Sequence, residues 1–309
     1  MKFEHKPVLL NECIEGLNIN PQGIYVDGTL GGAGHSLEIL KRLSKDGLLV
    51  GIDRDEEALQ AAKERLREYN NVKYIYGNHD NMKEILDANH IGKVDGILLD
   101  LGVSSYQLDE RNRGFSYLGE NELDMRMDKN QTVTAKEIVN TYEEKELARI
   151  FFEYGEERFS KNIARNICKY RKEKTIKTTK QLVDIIESSI PKSKQNDGHP
   201  AKRTFQAIRI EVNDEIKPLH NTVMESINSL KPQGRLCIIT FHSLEDKAVK
   251  RAYNEALGKC ACPKDLPYCV CGAQKLGKII NKKPIIATEE EQKINSRSKS
   301  AKLRIFEKI

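Results

Sequence analysis

Four short apolar runs, evenly spaced with helical patterns between them, constrain this chain more than any other feature. Ile24–Asp27, Leu48–Asp53, Val72–Tyr76 and Val94–Asp100 are rich in Val, Ile, Leu and Tyr and read as buried strands. Between them, Ser36 to Leu43 is amphipathic. Asp55 to Tyr69 repeats Ala58, Leu59, Ala61, Ala62 and Leu66 at helical spacing, and Met82 to Leu86 fits a further helix. Strands separated by helices of this length imply right-handed crossovers and a parallel sheet.

The alternation stops near Gly102. Up to about Arg209 the chain offers helical patterns (Glu143 to Tyr154, Arg158 to Tyr170, Thr179 to Ser189) and no convincing strand. The strand signal returns at Gly234–Phe241 and Lys302–Phe306, while Asn281 to Lys302 is polar and basic and reads as a surface loop. The simplest organisation is one α/β domain made of residues 1–105 and 211–309, interrupted by an all-helical insertion at 106–210.

Composition narrows the class. With 309 residues, 39% of them hydrophobic, the chain can bury a core, which excludes disorder throughout. It has no apolar run long enough to span a bilayer, and Glu4, His5 and Pro7 do not suit a signal peptide, so no membrane association is expected. Seven cysteines, an odd number, suit a reducing cytoplasm better than a disulfide framework. The net charge of +5 is unevenly spread. Residues 160–210 hold 13 Lys/Arg against 4 Asp/Glu, and residues 273–309 hold 10 against 4. Basic segments set against an acidic body suit a polyanionic partner, although a solvated helix face has the same composition.

The chemistry concentrates at strand ends. Asp27–His35 follows the first strand, opens the first helix and carries Gly28, Gly31, Gly32 and Gly34, without the Gly-Lys-Ser/Thr ending of a phosphate loop. Asp53 lies 19 residues after Gly34, at the end of the second strand, where a carboxylate accepts ribose hydroxyls. Both a nicotinamide dinucleotide and S-adenosylmethionine fit this pattern. Asp27 favours the second, because it would repel a pyrophosphate. His79, after the third strand, suits an adenine contact or a plain loop histidine. Asp100 ends an apolar strand and needs a partner. A nicotinamide-dependent oxidoreductase and a non-enzymatic nucleic-acid-binding factor are the competing functions.

These residues fall into eight ordered motifs: His5–Leu10, Asp27–Ser36, Asp95–Ser105, Arg113–Ser116, Leu123–Asp128, Tyr154–Phe159, His199–Ala207 and Phe241–Asp246. With them the chain resembles, over nearly its whole length, the MraW/RsmH family of bacterial 16S ribosomal RNA cytosine-N4 methyltransferases. The resemblance implies a class I, Rossmann-like methyltransferase sheet with a helical insertion. It implies S-adenosyl-L-methionine as cofactor and transfer of its methyl to the exocyclic N4 of a cytidine in the decoding region of 16S ribosomal RNA. The partner is then that RNA or the small ribosomal subunit, and the location the cytoplasm. Oligomeric state stays open, a homodimer included. Cofactor contacts carry over to Ala33, Gly34, His35, Asp53, His79, Asp100 and Gln107. The chain departs from some relatives at His79, often Phe, and at Gly32-Ala33, elsewhere an Arg/Gly pair.

Asp100 and the turn Leu101–Ser105 are expected as the amine-facing element, with Asp100 as the catalytic residue, touching either the target amine or only the cofactor. Further candidates keep two readings each. Arg126 suits a phosphate contact or an ion pair with Asp124 or Asp128. Lys202 and Arg203 suit RNA contact or a helix start with Phe205 in the core. His242 suits the target-base side or a structural hydrogen bond. No metal site is assigned. Cys260, Cys262, Cys269 and Cys271 could hold tetrahedral zinc or stay as free or redox-linked thiols, and Cys13, Cys168 and Cys237 suit buried apolar positions.

Overall fold

The computed structural model describes residues 7–103, 113–195, 198–258, 262, 268 and 274–309. In chain order the elements begin with α1 (Leu10–Leu17), β1 (Ile24–Asp27), α2 (Gly34–Leu40), β2 (Leu48–Asp53), α3 (Glu56–Arg65), β3 (Val72–Tyr76), α4 (Met82–Ala88) and β4 (Val94–Asp100). Five helices follow: α5 (Ala135–Thr141), α6 (Glu144–Glu153), α7 (Ser160–Glu173), α8 (Thr179–Ser189) and α9 (Lys202–Asn213). The chain then runs through α10 (Leu219–Ser229), β5 (Leu230–Thr240), α11 (Ser243–Ala256), β6 (Gly277–Ile279), α12 (Glu289–Ile294) and β7 (Lys302–Lys308).

Two units separate. One joins Met1–Gly102 to Ile216–Ile309, and the other is Val103–Glu215. In the first, seven strands form one sheet in the order β3-β2-β1-β4-β5-β7-β6. The pairings from β3 through β5 are parallel, whereas β7 runs antiparallel to both β5 and β6. Helices cover both faces, which is why the central strands are apolar without alternation. Along β4, Leu98 points into the core that contains α1 and α2, with Leu17, Ile39 and Cys237. Its neighbours Ile97 and Leu99 point to the opposite core, with Met82, Val223 and Tyr253. The connection order reverses between β1 and β4. In such a sheet ligands bind outside the carboxyl ends of the strands at this point, and Asp27, Asp53 and Asp100 all end strands there.

One expectation is overturned. Asn281 to Lys302 is not simply a loop, because it contains α12 and a short 3-10 turn at Ser296–Ser300. Thr288 caps α12 by accepting the Glu291 N–H, and Glu289, Glu290 and Glu291 occupy its positive end. Glu291 also accepts the Leu9 N–H at 2.9 Å, so the segment is tied to the start of the chain. The short edge strand β6 carried no alternation to betray it.

The second unit is helical. Among its described residues the only β pairing is an isolated bridge between Glu122 and Thr178. Leu147, Ile150, Phe151, Ile163, Ile167, Leu182, Ile186, Phe205 and Ile208 are buried in it. α8 starts on a reciprocal capping box between Thr178 and Gln181. Among the described residues no helix is long and apolar enough to cross a membrane.

Candidate active site at the strand ends

The Gly-rich turn is built by its neighbours. Gly28 N–H donates to Leu98 O and Leu30 N–H to Ile52 O, which ties the turn to strands on both sides of β1. Gly31 (φ 46°) and Ala33 (φ 54°) are left-handed, and Ala33 immediately precedes α2. Gly34 is required for a different reason, since a Cβ there would stand 2.2 Å from Pro7 Cγ.

Three carboxylates face this turn from three strands. Asp27 is buried and accepts Ser36 Oγ at 2.7 Å and Thr29 N–H at 3.2 Å, while burial pushes its carboxyl upward. Asp53 accepts the N–H groups of Gly31 (2.8 Å) and Asp55 (2.9 Å), and burial outweighs these bonds to hold it near 6. Asp53 therefore props the turn from the carboxyl end of β2. Asp100 donates its backbone N–H to Thr29 Oγ1 at 2.6 Å. Its side chain is 27% exposed, yet Oδ1 is fully buried and has no hydrogen-bond partner among the described residues. Burial, reinforced by Asp27 and Glu245, pushes Asp100 to about 8.

Two histidines close the site in neutral form. His35 Nε2 lies 3.0 Å from the Val8 carbonyl, which places the ring hydrogen on Nε2 and leaves the Nδ1 lone pair 3.8 Å from Asp100 Oδ2. Burial holds its pKa down against the attraction of Asp27. His79 sits on a 3-10 turn capped by Asn78, and burial lowers it to about 4. Its Cβ is 3.3 Å from where a Cβ on Gly28 would be, so it lies directly against the Gly-rich turn.

The far end of the site comes from α11. Glu245 is buried, and its Oε2 accepts the N–H groups of Phe241 (2.6 Å) and His242 (3.3 Å). His242 Nδ1 returns the bond by accepting the Glu245 N–H at 3.4 Å. Glu245 was not among the expected site residues. The His-Ser-Leu-Glu spacing, a capping box with His in the Ser/Thr place, is the signal that could have found it.

These carboxyl groups fit the expected cofactor. Among the described residues no lysine or arginine pairs with Asp27, Asp53 or Asp100, so three carboxyl groups meet at the strand ends without a cation, and burial raises each of them. A sulfonium, an ammonium and a ribose diol supply what the carboxylates lack, whereas a pyrophosphate would be repelled. Strand order and site charge together define the class, an S-adenosylmethionine-dependent methyltransferase of class I.

Within that class the chain belongs to the MraW methylase family, whose family model matches residues 2–309. It is 57% identical to ribosomal RNA small subunit methyltransferase H of Lachnospira eligens, over 100% of this chain and 99% of the relative. It is 56% identical to the protein of that name from Clostridium botulinum strain Loch Maree, over the full length of both. Among solved structures, an rRNA methylase from Streptococcus thermophilus aligns over 99% of each chain at 13% identity and a TM-score of 0.41.

Several expected residues gain a single reading. Arg126 holds both Asp124 oxygens at 2.8 Å and also donates to the carbonyls of Lys129 and Gln131, so it is an internal ion pair and not a phosphate contact. Phe205 is core, while Lys202 and Arg203 are exposed in the first turn of α9. Cys13 and Cys237 are buried, but Cys168 is only half-buried. Gln107, Ser104, Ser105, Cys260, Cys269 and Cys271 lie outside the described residues.

Proposed function

We propose that this protein methylates the exocyclic N4 of a cytidine in the decoding region of small-subunit (16S) ribosomal RNA, in the cytoplasm. The names of its full-length relatives support the RNA class. The observation that carries the chemistry is the buried, unpartnered Oδ1 of Asp100 at the sheet's switch point.

S-adenosylmethionine supplies an electrophilic methyl on a sulfonium. Ala33, Gly34, His35, Asp53, His79, Asp100 and Gln107 form its binding set. The Asp53 oxygens retain lone pairs for ribose hydroxyls, and the neutral His79 ring offers an uncharged face to adenine. Cytosine N4 is a weak nucleophile because its lone pair is delocalised into the ring. Asp100 accepts an N4–H hydrogen bond, holds the amine in line and raises its electron density. One N4 proton must leave as the methyl is transferred, and the Asp100 carboxylate that already accepts the N4–H is placed to take it.

Residues 1–105 and 211–309 are read as the methyltransferase core and 106–210 as the RNA-binding insertion. On α7, Lys161, Arg165, Lys169 and Lys172 are exposed along the helix at intervals of three and four residues. None of these, nor Lys202 or Arg203, forms an ion pair among the described residues, unlike Arg149 and Arg209 in the same unit. Unpaired cations on one helix suit a phosphate backbone.

Nucleoside analysis of small-subunit RNA tests the reading. RNA from a strain lacking this protein should lose one N4-methylated cytidine, restored by the wild-type gene and not by Asp100→Ala. Full restoration by Asp100→Ala would refute the role of Asp100, and an unchanged nucleoside profile in the deletion strain would refute the substrate.

A further inference from the structure

At the carboxyl edge of β4 and β5, two buried polar atoms have no hydrogen-bond partner among the described residues, Asp100 Oδ1 and His242 Nε2. They are opposite in kind. Asp100 Oδ1 accepts when the carboxylate is ionised. His242 Nδ1 is occupied as the acceptor that caps α11, so the neutral ring carries its hydrogen on Nε2 and can only donate there. The His242 side chain is 8% exposed. Its Nε2 stands 2.9 Å from Glu245 Oε1, outside hydrogen-bond geometry. That carboxylate faces the ring electrostatically, and the N–H still has a hydrogen bond to give.

The two atoms share one edge. Asp100 pairs in register with Ile239, and Leu101 N–H donates to Ile239 O, only three residues before His242. Between them is Gly102, in the left-handed region at φ 98°. A Cβ there would lie 3.6 Å from Phe241 Cδ2 and 4.0 Å from Glu245 Oε1, so the missing side chain leaves room beside Phe241. The edge therefore offers an acceptor, a gap beside an aromatic ring and a donor.

We propose that His242 is a base-recognition residue: its Nε2–H donates to ring N3 of the target cytosine while Asp100 Oδ1 accepts from the adjacent N4–H. This deepens, and rests on, the cytidine reading above. Cytosine presents a donor at N4 and an acceptor at N3, side by side. Uracil presents the reverse, an acceptor at O4 and a donor at N3, so both contacts would become like against like. Sites that hydrogen-bond a substrate in this manner reject the mismatched analogue by roughly 10⁴-fold. Glu245 acts as a positioning residue, since its bonds to the Phe241 and His242 N–H groups fix the turn that aims the ring.

The test pairs an atom of the protein with an atom of the base. Small subunits from a deletion strain are rebuilt with cytidine or 3-deazacytidine at the target, the latter replacing N3 by C–H. The variant is His242→Asn, because asparagine keeps a helix-capping oxygen but has no donor at the reach of Nε2. Methyl incorporation gives kcat/KM, and S-adenosylmethionine affinity reports folding. Wild type should lose roughly 10- to 100-fold on 3-deazacytidine, the effect of one unsatisfied buried donor. His242→Asn should lose a similar factor on cytidine and little more on 3-deazacytidine. Losses that multiply, full activity of His242→Asn on cytidine, or an undiminished wild-type rate on 3-deazacytidine would each overturn the proposal. The wild-type comparison decides by itself if the variant does not fold. A wild type inactive on the cytidine subunits would overturn the substrate reading, and this proposal with it.

Discussion

Binding of S-adenosylmethionine should release a proton, and the proton should come from Asp100. In the free protein burial, Asp27 and Glu245 hold this carboxyl near 8, so at pH 7 about 0.9 of the molecules carry the proton. A sulfonium placed against the strand ends favours the carboxylate and lowers that pKa. Deprotonating a group of pKa 8 at pH 7 costs about 1.4 kcal/mol, one tenfold step in affinity. The apparent affinity should therefore rise about tenfold per pH unit from pH 6 to nearly 8, then level off. Titration calorimetry in two buffers of different ionisation enthalpy counts the protons directly. S-adenosylhomocysteine is the control, because it lacks only the methyl and its charge, and it should release far less. Asp100→Asn should abolish the difference between the two ligands. Equal proton release with both ligands, or release that survives in Asp100→Asn, would refute the assignment of the charge-compensating carboxylate.

Three further outcomes follow from named contacts. Asp53→Ala should weaken S-adenosylmethionine binding by roughly 1–3 kcal/mol, because it removes a site acceptor and frees the Gly31 N–H, and equilibrium dialysis of the folded variant would show it. Asp246→Ala should destabilise the protein by roughly 3–5 kcal/mol in urea melts. It strands the buried Arg304 guanidinium, which now donates to Asp246 at 2.6 and 3.2 Å. Changing Lys202 and Arg203 together to Ala should flatten the log–log salt dependence of RNA binding by about one to two contacts while cofactor affinity holds. An unchanged slope would move the RNA to other cations, such as the basic stretch at residues 273–309.

The sheet was legible because its strands are continuous apolar runs and its helices keep their spacing. The alternation of Ile97, Leu98 and Leu99 between two cores follows from strand geometry alone. The carboxylates could be read because each ends a strand. What could not be read depends on long-range packing or on capping. Only the fold brings Pro7 against Gly34, or leaves Asp100 Oδ1 without a hydrogen-bond partner among the described residues. Arg126 had two partners of equal merit in the sequence, and a bidentate fit to Asp124 selected one. The helix at Glu289–Ile294 was hidden because its basic surroundings suggested a loop, although Thr288 and three glutamates announced its start.

Whether Asp100 presents the N4 amine of a small-subunit cytidine for methylation is decided by one reaction. Purified protein is incubated with small subunits from a deletion strain and S-adenosylmethionine carrying an isotopic methyl, and the digested RNA is resolved by nucleoside mass spectrometry. Label should appear in a single N4-methylcytidine with wild type and nowhere with Asp100→Ala, although that variant remains folded by circular dichroism. Label on a ring carbon or a ribose 2′-oxygen, or full labelling by Asp100→Ala, would contradict it.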